Sequence, residues 1–335
     1  MTPKQVFRNT LQSKNRERPL FIPFVCGLAA RTANINVKQM VMDPGFYSSA
    51  LEGFHALLGV NVLTVNFDAS VESEALGAEI QWPGEYDGAL VKTVDKPAVI
   101  GADEFVGQTR TATLIETIKR LSITAGQEKA VACVLQGPCA FIHGLKNVFE
   151  ENGSLDIGIL IKHYGPYLTK LVRNICEQKI DAFFFREDTL GEQFMQFLLK
   201  NQPAFKGLYT TLFNIVQAFN AFPLIITDHL ALKSIPDLYA ALKPSGVVLF
   251  GHTADKAALS TLLEVTKELK ISIGLPLPTN DAASEVLLRA LDTLESFIAD
   301  NRLRNIFYCS DGEVSHDIEL ALLLELMDRI NADSG

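Results

Sequence analysis

The sequence predicts a (β/α)8 barrel, on three observations. Eight short β-branched or aromatic runs alternate with longer stretches whose apolar residues recur every three or four positions. The runs lack polar/apolar alternation, which is the pattern of parallel strands buried on both faces. No G-x-G-x-x-G follows the first run, and this removes the main support for the competing doubly wound open sheet.

Residues 1–18 are polar and charged and read as an N-terminal helical extension. PLFIPF (19–24) is the first strand. Asp43-Pro44 caps a helix over GFYSSALEGFHALLG, because an aspartate before a proline at the first helical position is a start signal. VNVLTV (60–65) and AVACVL (130–135) follow, the latter ending in the turn Gln136-Gly137-Pro138. Ile161, Leu168, Leu171, Val172 and Ile175 mark one buried helix face. IDAFFF (180–185), FPLIIT (222–227), GVVLFG (246–251) and ISIGL (271–275) are the next strands. Val286, Ala290, Leu294 and Ile298 mark another helix face. NIFYC (305–309) is the last strand, and Asp317 is the expected N-cap of IELALLLELMDRI. No linker, low-complexity tract or repeat interrupts the order, so residues 1–335 read as one domain.

Composition narrows the function classes. At 335 residues and 48% apolar, the chain is long enough to bury a core without disulfides or metals as staples. A net charge of −9 with the signs mixed along the sequence argues against nucleic acid as a partner, which would require a basic stripe. The five cysteines form no C-x-x-C pair and suggest no disulfide framework. No apolar stretch approaches the roughly 18 to 20 residues that span a bilayer, and the N-terminus has no signal-type apolar region. A cytoplasmic protein with no membrane partner is expected.

In a barrel, functional groups stand at the C-terminal ends of the strands. Those ends are unusually polar here: Val25-Cys26-Gly27, Asn66-Phe67-Asp68, Gln136-Gly137-Pro138, Arg186-Glu187-Asp188, Asp228-His229, His252 and Cys309-Ser310-Asp311. Asp68, Glu187 and Asp188 are carboxylates able to hold a proton or to pair with N–H donors, or else to cap turns. His229, His252, Cys309 and Asp311 could supply a metal site, since imidazole with thiolate or carboxylate suits zinc. Alternatively the histidines are hydrogen-bonded polar residues and Cys309 a small buried hydrophobe. Gly137 would let backbone approach a ligand, or simply make the turn. Glu72 and Glu79 read as solvated. His55, His143, His163 and His316 read as structural.

Asp68 followed by Glu74-Ala75-Leu76-Gly77 resembles the D-x5-E-A-L-G stretch of the uroporphyrinogen decarboxylase superfamily, a (β/α)8 barrel family that includes the cobalamin-linked methyltransferases. Arg18-Pro19-Leu20, Gln136-Gly137-Pro138, Pro223 to His229, and Asn305-Ile306-Phe307 with Asp311-Gly312 fall in the family's order. The decarboxylase's paired arginines after strand one are missing, since Phe24-Val25-Cys26-Gly27-Leu28 stands there. The decarboxylase's histidine corresponds to Asp311. Val71 to Ala78, VESEALGA, is closer to the methyltransferase branch.

That resemblance implies transfer of a methyl group between a corrinoid (cobalamin), free or carried on a partner protein, and a small-molecule acceptor. It implies Asp68, His229 and Asp311 as catalytic, with Glu74, Gly137, Glu187 and Asp188 around the substrate or corrinoid. In that branch zinc held by a histidine and two cysteines activates the acceptor. A gapless match puts Thr227, His229 and Asp311 at those three positions, with Cys309 two residues before Asp311 on the same strand face. A zinc site would thus draw on a subset of His229, His252, Cys309 and Asp311. Two other readings stay open: a divergent decarboxylase of porphyrin biosynthesis, and a non-catalytic barrel that binds a tetrapyrrole or a partner protein.

Overall fold

The structure, a computed structural model, describes residues 1–12, 14, 19–93, 97–150, 156–191, 193–251, 256–269, 271–280 and 284–331. Eight parallel strands make one sheet: β1 (Phe21–Phe24), β2 (Val62–Val65), β5 (Ala130–Gln136), β6 (Ala182–Arg186), β7 (Phe222–Asp228), β8 (Gly246–Phe250), β9 (Ser272–Leu277) and β10 (Ile306–Glu313). A two-stranded antiparallel hairpin, β3 (Glu79–Gln81) with β4 (Leu90–Thr93), is inserted after β2. The sheet runs β1-β10-β9-β8-β7-β6-β5-β2, which is the order of a (β/α)8 barrel.

The edges of that order, β1 and β2, meet at a seam without a backbone ladder. Pro23 explains part of this. It lacks an N–H, and the β1–β10 register shifts between Ile22 and Phe24. Side chains substitute for the missing bonds. The Thr64 hydroxyl donates to Pro23 O at 2.6 Å across the seam, and Phe24 N–H donates to the Ser310 hydroxyl at 2.9 Å.

Alternate residues of each strand separate into two cores, as a period of two requires. Ile22, Val62, Ala132, Phe184, Ile226 and Phe307 fill the lumen, while Leu63, Val131, Phe183, Ile225, Val247 and Tyr308 pack outward against the helices. The small alanines of β5 and the large rings of Phe24, Phe184 and Phe307 fit one another in cross-section.

The N-terminal helix Pro3–Leu11 is no mere extension: its Phe7 and Leu11 belong to the lumen core. Lys4 and Arg8 reach Asp181, just before β6, at 3.0 and 2.9 Å, so the helix is tied to the N-terminal end of the barrel. Arg18, at the start of the sequence resemblance, lies outside the described residues.

Asp43 caps the helix Pro44–Leu58 as expected, accepting from Gly45 and Phe46 N–H at 2.7 and 2.9 Å. The last helix differs. It begins at Leu320 instead of after Asp317. Arg31 takes the Ile318 carbonyl at 2.9 Å while Ile318 packs into the core, which holds that segment out of helical geometry. No helix among the described residues is long and apolar enough to cross a membrane.

Candidate active site

At the C-terminal end of the barrel, four phenylalanines roof the lumen. Phe24 lies 5.4 Å from Phe67, 5.5 Å from Phe184 and 5.5 Å from Phe250, centroid to centroid. The polar strand ends stand above this apolar floor.

Asp68 leaves β2 through a turn made by Asn66, whose φ of 64° lies in the left-handed region that asparagine tolerates better than most residues. The Asn66 amide donates to Val134 O at 2.8 Å and its backbone N–H donates to the Tyr47 hydroxyl at 3.1 Å. Asp68 then points at the buried guanidinium of Arg110, on the helix Thr109–Thr124. Its Oδ1 accepts from the Ser70 N–H and hydroxyl at 2.7 and 2.6 Å, and Oδ2 pairs with Arg110. Arg110 also reaches Glu74 at 2.8 Å and lies 5.2 Å over the Trp82 ring. One arginine therefore gathers two of the expected carboxylates, Asp68 and Glu74. Both oxygens of Asp68 are thus bonded, which fixes the orientation of its side chain.

Glu72 corrects the expectation of a solvated acid. It is fully buried, because the helix Val71–Ala75 turns it against the end of β5. Its Oε1 accepts from Gln136 N–H at 2.8 Å, while Oε2 has no partner among the described residues. Burial pushes the carboxyl up to about 7. Glu79, by contrast, is exposed and pairs with Lys92 at 2.8 Å.

At the end of β6 the two acids part ways. Glu187 is buried and accepts from Cys139 and Ala140 N–H at 3.0 and 2.7 Å and from the Tyr209 hydroxyl, so it caps the helix Pro138–Glu150. Burial outweighs these donors and raises it to about 8. Gly137 is required by this contact: a Cβ there would overlap the Glu187 carboxylate. Asp188 instead takes Arg186 in a bidentate pair, with Nε and Nη2 at 3.0 and 2.9 Å. The Arg186 guanidinium lies 3.9 Å from the Phe67 ring centroid and donates to Phe67 O at 2.6 Å, which places a cation on the phenylalanine floor.

His229 is held by its Nδ1, 3.2 Å from Phe250 O and 3.1 Å from Asp228 Oδ1. A carbonyl can only accept, so in the neutral ring Nδ1 carries the hydrogen and Nε2 keeps the lone pair. Nε2 has no partner among the described residues. Gly251, at φ 85°, leaves room for the ring, since a Cβ there would overlap it. Asp311 accepts from the Thr279 N–H and hydroxyl at 3.0 and 3.1 Å, and burial raises its pKa. Glu313, at the end of β10, accepts from Gly27 N–H at 2.7 Å, and burial raises it too.

The expected metal ligands separate. Cys309 is fully buried in the lumen core, its thiol pushed well above the ordinary range by burial. Asp311 is committed to Thr279, and His229 Nδ1 to Phe250. Among the described residues no three His, Cys, Asp or Glu side chains gather in metal-binding geometry. His252 lies outside the described residues. The donor set on view does not fit zinc.

Arg110, Glu313 and Tyr209 were not singled out by the sequence. Arg110 and Tyr209 come from helices, where no strand-end rule reaches them. Glu313 sits four residues past the expected end of the last strand, which runs on to that residue.

No protein-family model matches the chain, and no curated protein matches it. Solved structures do. A methyltransferase from Methanosarcina mazei aligns over 100% of both chains with a TM-score of 0.77 at 11% identity. A hyperthermophilic β-glucosidase from Pyrococcus furiosus covers 94% of this chain and 96% of its own with a TM-score of 0.56 at 9% identity. A B12-independent methionine synthase from Shewanella sp. W3-18-1 covers 85% of each chain with a TM-score of 0.51 at 12% identity. At identities this low the likeness establishes the fold: the chain is a (β/α)8 barrel, built along its whole length like the Methanosarcina mazei methyltransferase.

Proposed function

We propose that this barrel is a methyltransferase that moves a methyl group between a corrinoid and a small acceptor. The observation that supports it most is the end-to-end likeness to a methyltransferase, with a TM-score of 0.77 over both full chains against 0.56 and 0.51 for the other two barrels. The VESEALGA segment, carrying Glu74, which shares Arg110 with Asp68, agrees with that reading. The corrinoid is a substrate here, free or on a companion protein, presented at the C-terminal face.

Methyl transfer forms a bond from the acceptor to the methyl carbon, leaves the electron pair of the broken bond on the donor, and releases the acceptor's proton. Nε2 of His229 is the lone pair that takes this proton, with Asp228 beside the ring to stabilise the resulting imidazolium. Arg186 on Phe67 holds an electron-rich acceptor above the apolar floor, which keeps water from competing. Asp311 and Glu313 line the mouth, and Asp68 with Arg110 and Glu74 fixes the second βα loop. Zinc enters no step, because the ligands on view do not converge.

The test is anaerobic incubation of the whole chain with methylcobalamin and a panel of thiols, amines and phenols, with products read by mass spectrometry. Methylated product formed faster than without protein is the expected result. Equal rates with and without protein, for every acceptor, would overturn the proposal.

A further inference from the structure

A cavity of about 350 Å³ opens at the side of the mouth, between the second βα loop, β4 and the helix Pro138–Glu150. That volume is near the lower end for small-molecule pockets. Its walls are Leu76, Phe141 and Leu145, all buried. Its polar groups are Ser70, Ser73 and Gln136.

Those three differ in what they can offer. The Ser70 hydroxyl is spent, donating to Asp68 and accepting from Arg110. The Ser73 hydroxyl and the Gln136 side-chain amide have no hydrogen-bond partner among the described residues. The backbone of Gln136 is fixed, since its N–H donates to buried Glu72. An amide and a hydroxyl together can accept one hydrogen bond and donate another to the same atom. An apolar enclosure carrying one such pair suits a small ring with a single hydroxyl. The lip of the cavity adds to this: Leu90 and Val91 of β4 are 55% and 41% exposed, an apolar surface the folded chain does not itself cover.

We infer that this cavity is a binding site for a small phenol-type molecule, its ring against Phe141 and Leu145 and its hydroxyl between Gln136 and Ser73. The site requires no methyl transfer, so it stands or falls apart from the reaction proposed above. It shares only the Ser70 wall with the Asp68 network.

Gly144 supplies the decisive variant. It lines the cavity, and a Cβ added there meets nothing within 4 Å. Gly144→Phe therefore grows a ring into the space, and replacing a glycine within a helix does not weaken the helix. Binding of 4-methylphenol to the whole chain is measured by ligand-observed NMR and calorimetry, with toluene as the probe that lacks the hydroxyl.

The wild-type chain should bind 4-methylphenol saturably with a Kd of about 1 mM or tighter. Gly144→Phe should weaken this at least ~10-fold with the thermal midpoint unchanged, and Gln136→Leu should weaken it ~5-fold or more. Toluene should bind more weakly than 4-methylphenol by a similar factor. Absence of saturable binding, equal binding by Gly144→Phe, or equal binding of toluene would each overturn the assignment. Should Gly144→Phe fail to fold, Gln136→Leu and the toluene comparison still decide it.

Discussion

Replacing Glu72 by glutamine should change how stability depends on pH, and the structure sets the size of the change. The carboxyl is fully buried, with one oxygen on Gln136 N–H and the other without a partner among the described residues. Burial raises its pKa from an ordinary value near 4.5 to about 7 in the folded chain. Between those values the folded state holds a proton that the unfolded state has released, so stability falls as pH climbs through the window. From pH 5 to pH 8 the loss from this one group is ~2.5 kcal/mol. Glutamine mimics the protonated acid, can still accept from Gln136, and cannot ionise. Urea denaturation of both proteins at pH 5 and pH 8 isolates the effect. Glu187, Asp311 and Glu313 are raised in the same direction but are present in both proteins and cancel in the comparison. The variant should gain about 2 to 3 kcal/mol on wild type between the two pH values. A difference under about 0.5 kcal/mol would refute the claim that Glu72 is a buried neutral acid.

Three further outcomes follow from the same geometry. Arg110→Leu leaves the Asp68 carboxylate buried without its partner and should cost about 3 to 5 kcal/mol by chemical denaturation, with the Asp68→Asn, Arg110→Leu double variant recovering part of the loss. Gly137→Ala drives a methyl into the Glu187 carboxylate and should cost about 2 kcal/mol or more, seen as a lowered thermal midpoint. Tyr209→Phe removes one of the three donors to Glu187 and should cost ~1 kcal/mol with little change in the fold's circular dichroism.

Much of the barrel could be read from the chain because each strand is an apolar run long enough to be recognised and is followed by a turn signal. NIFYC and IDAFFF overlap β10 and β6 within a few residues. The sequence does not mark the hairpin of β3 and β4, because Glu79–Gln81 and Leu90–Thr93 are short and β3 is largely exposed, so no apolar run signals it. Asp317 is the opposite case, a valid local start signal overridden by the bond from Arg31 to the Ile318 carbonyl, 287 positions along the chain.

The site divided along the same line. Strand ends placed Asp68, Arg186, Asp188, His229 and Asp311 around the mouth, since their position follows from strand order alone. The charge balance around them did not follow, because Arg110 and Tyr209 arrive on helices. Glu72 reads as solvated for a related reason: a five-residue helix gives too little periodicity to tell which face is buried.

The proposed mechanism requires His229 Nε2 to take a proton while a methyl group moves across this mouth. Methylcobalamin carrying a ¹³C-labelled methyl group, incubated with the most reactive acceptor from the panel, tests it directly by NMR. Wild-type chain should carry the label onto the acceptor, and His229→Ala should slow that transfer at least ~100-fold while its folded stability stays within about 1 kcal/mol. Label that remains on the corrinoid with wild-type protein, or that moves equally fast with both proteins, would contradict the account.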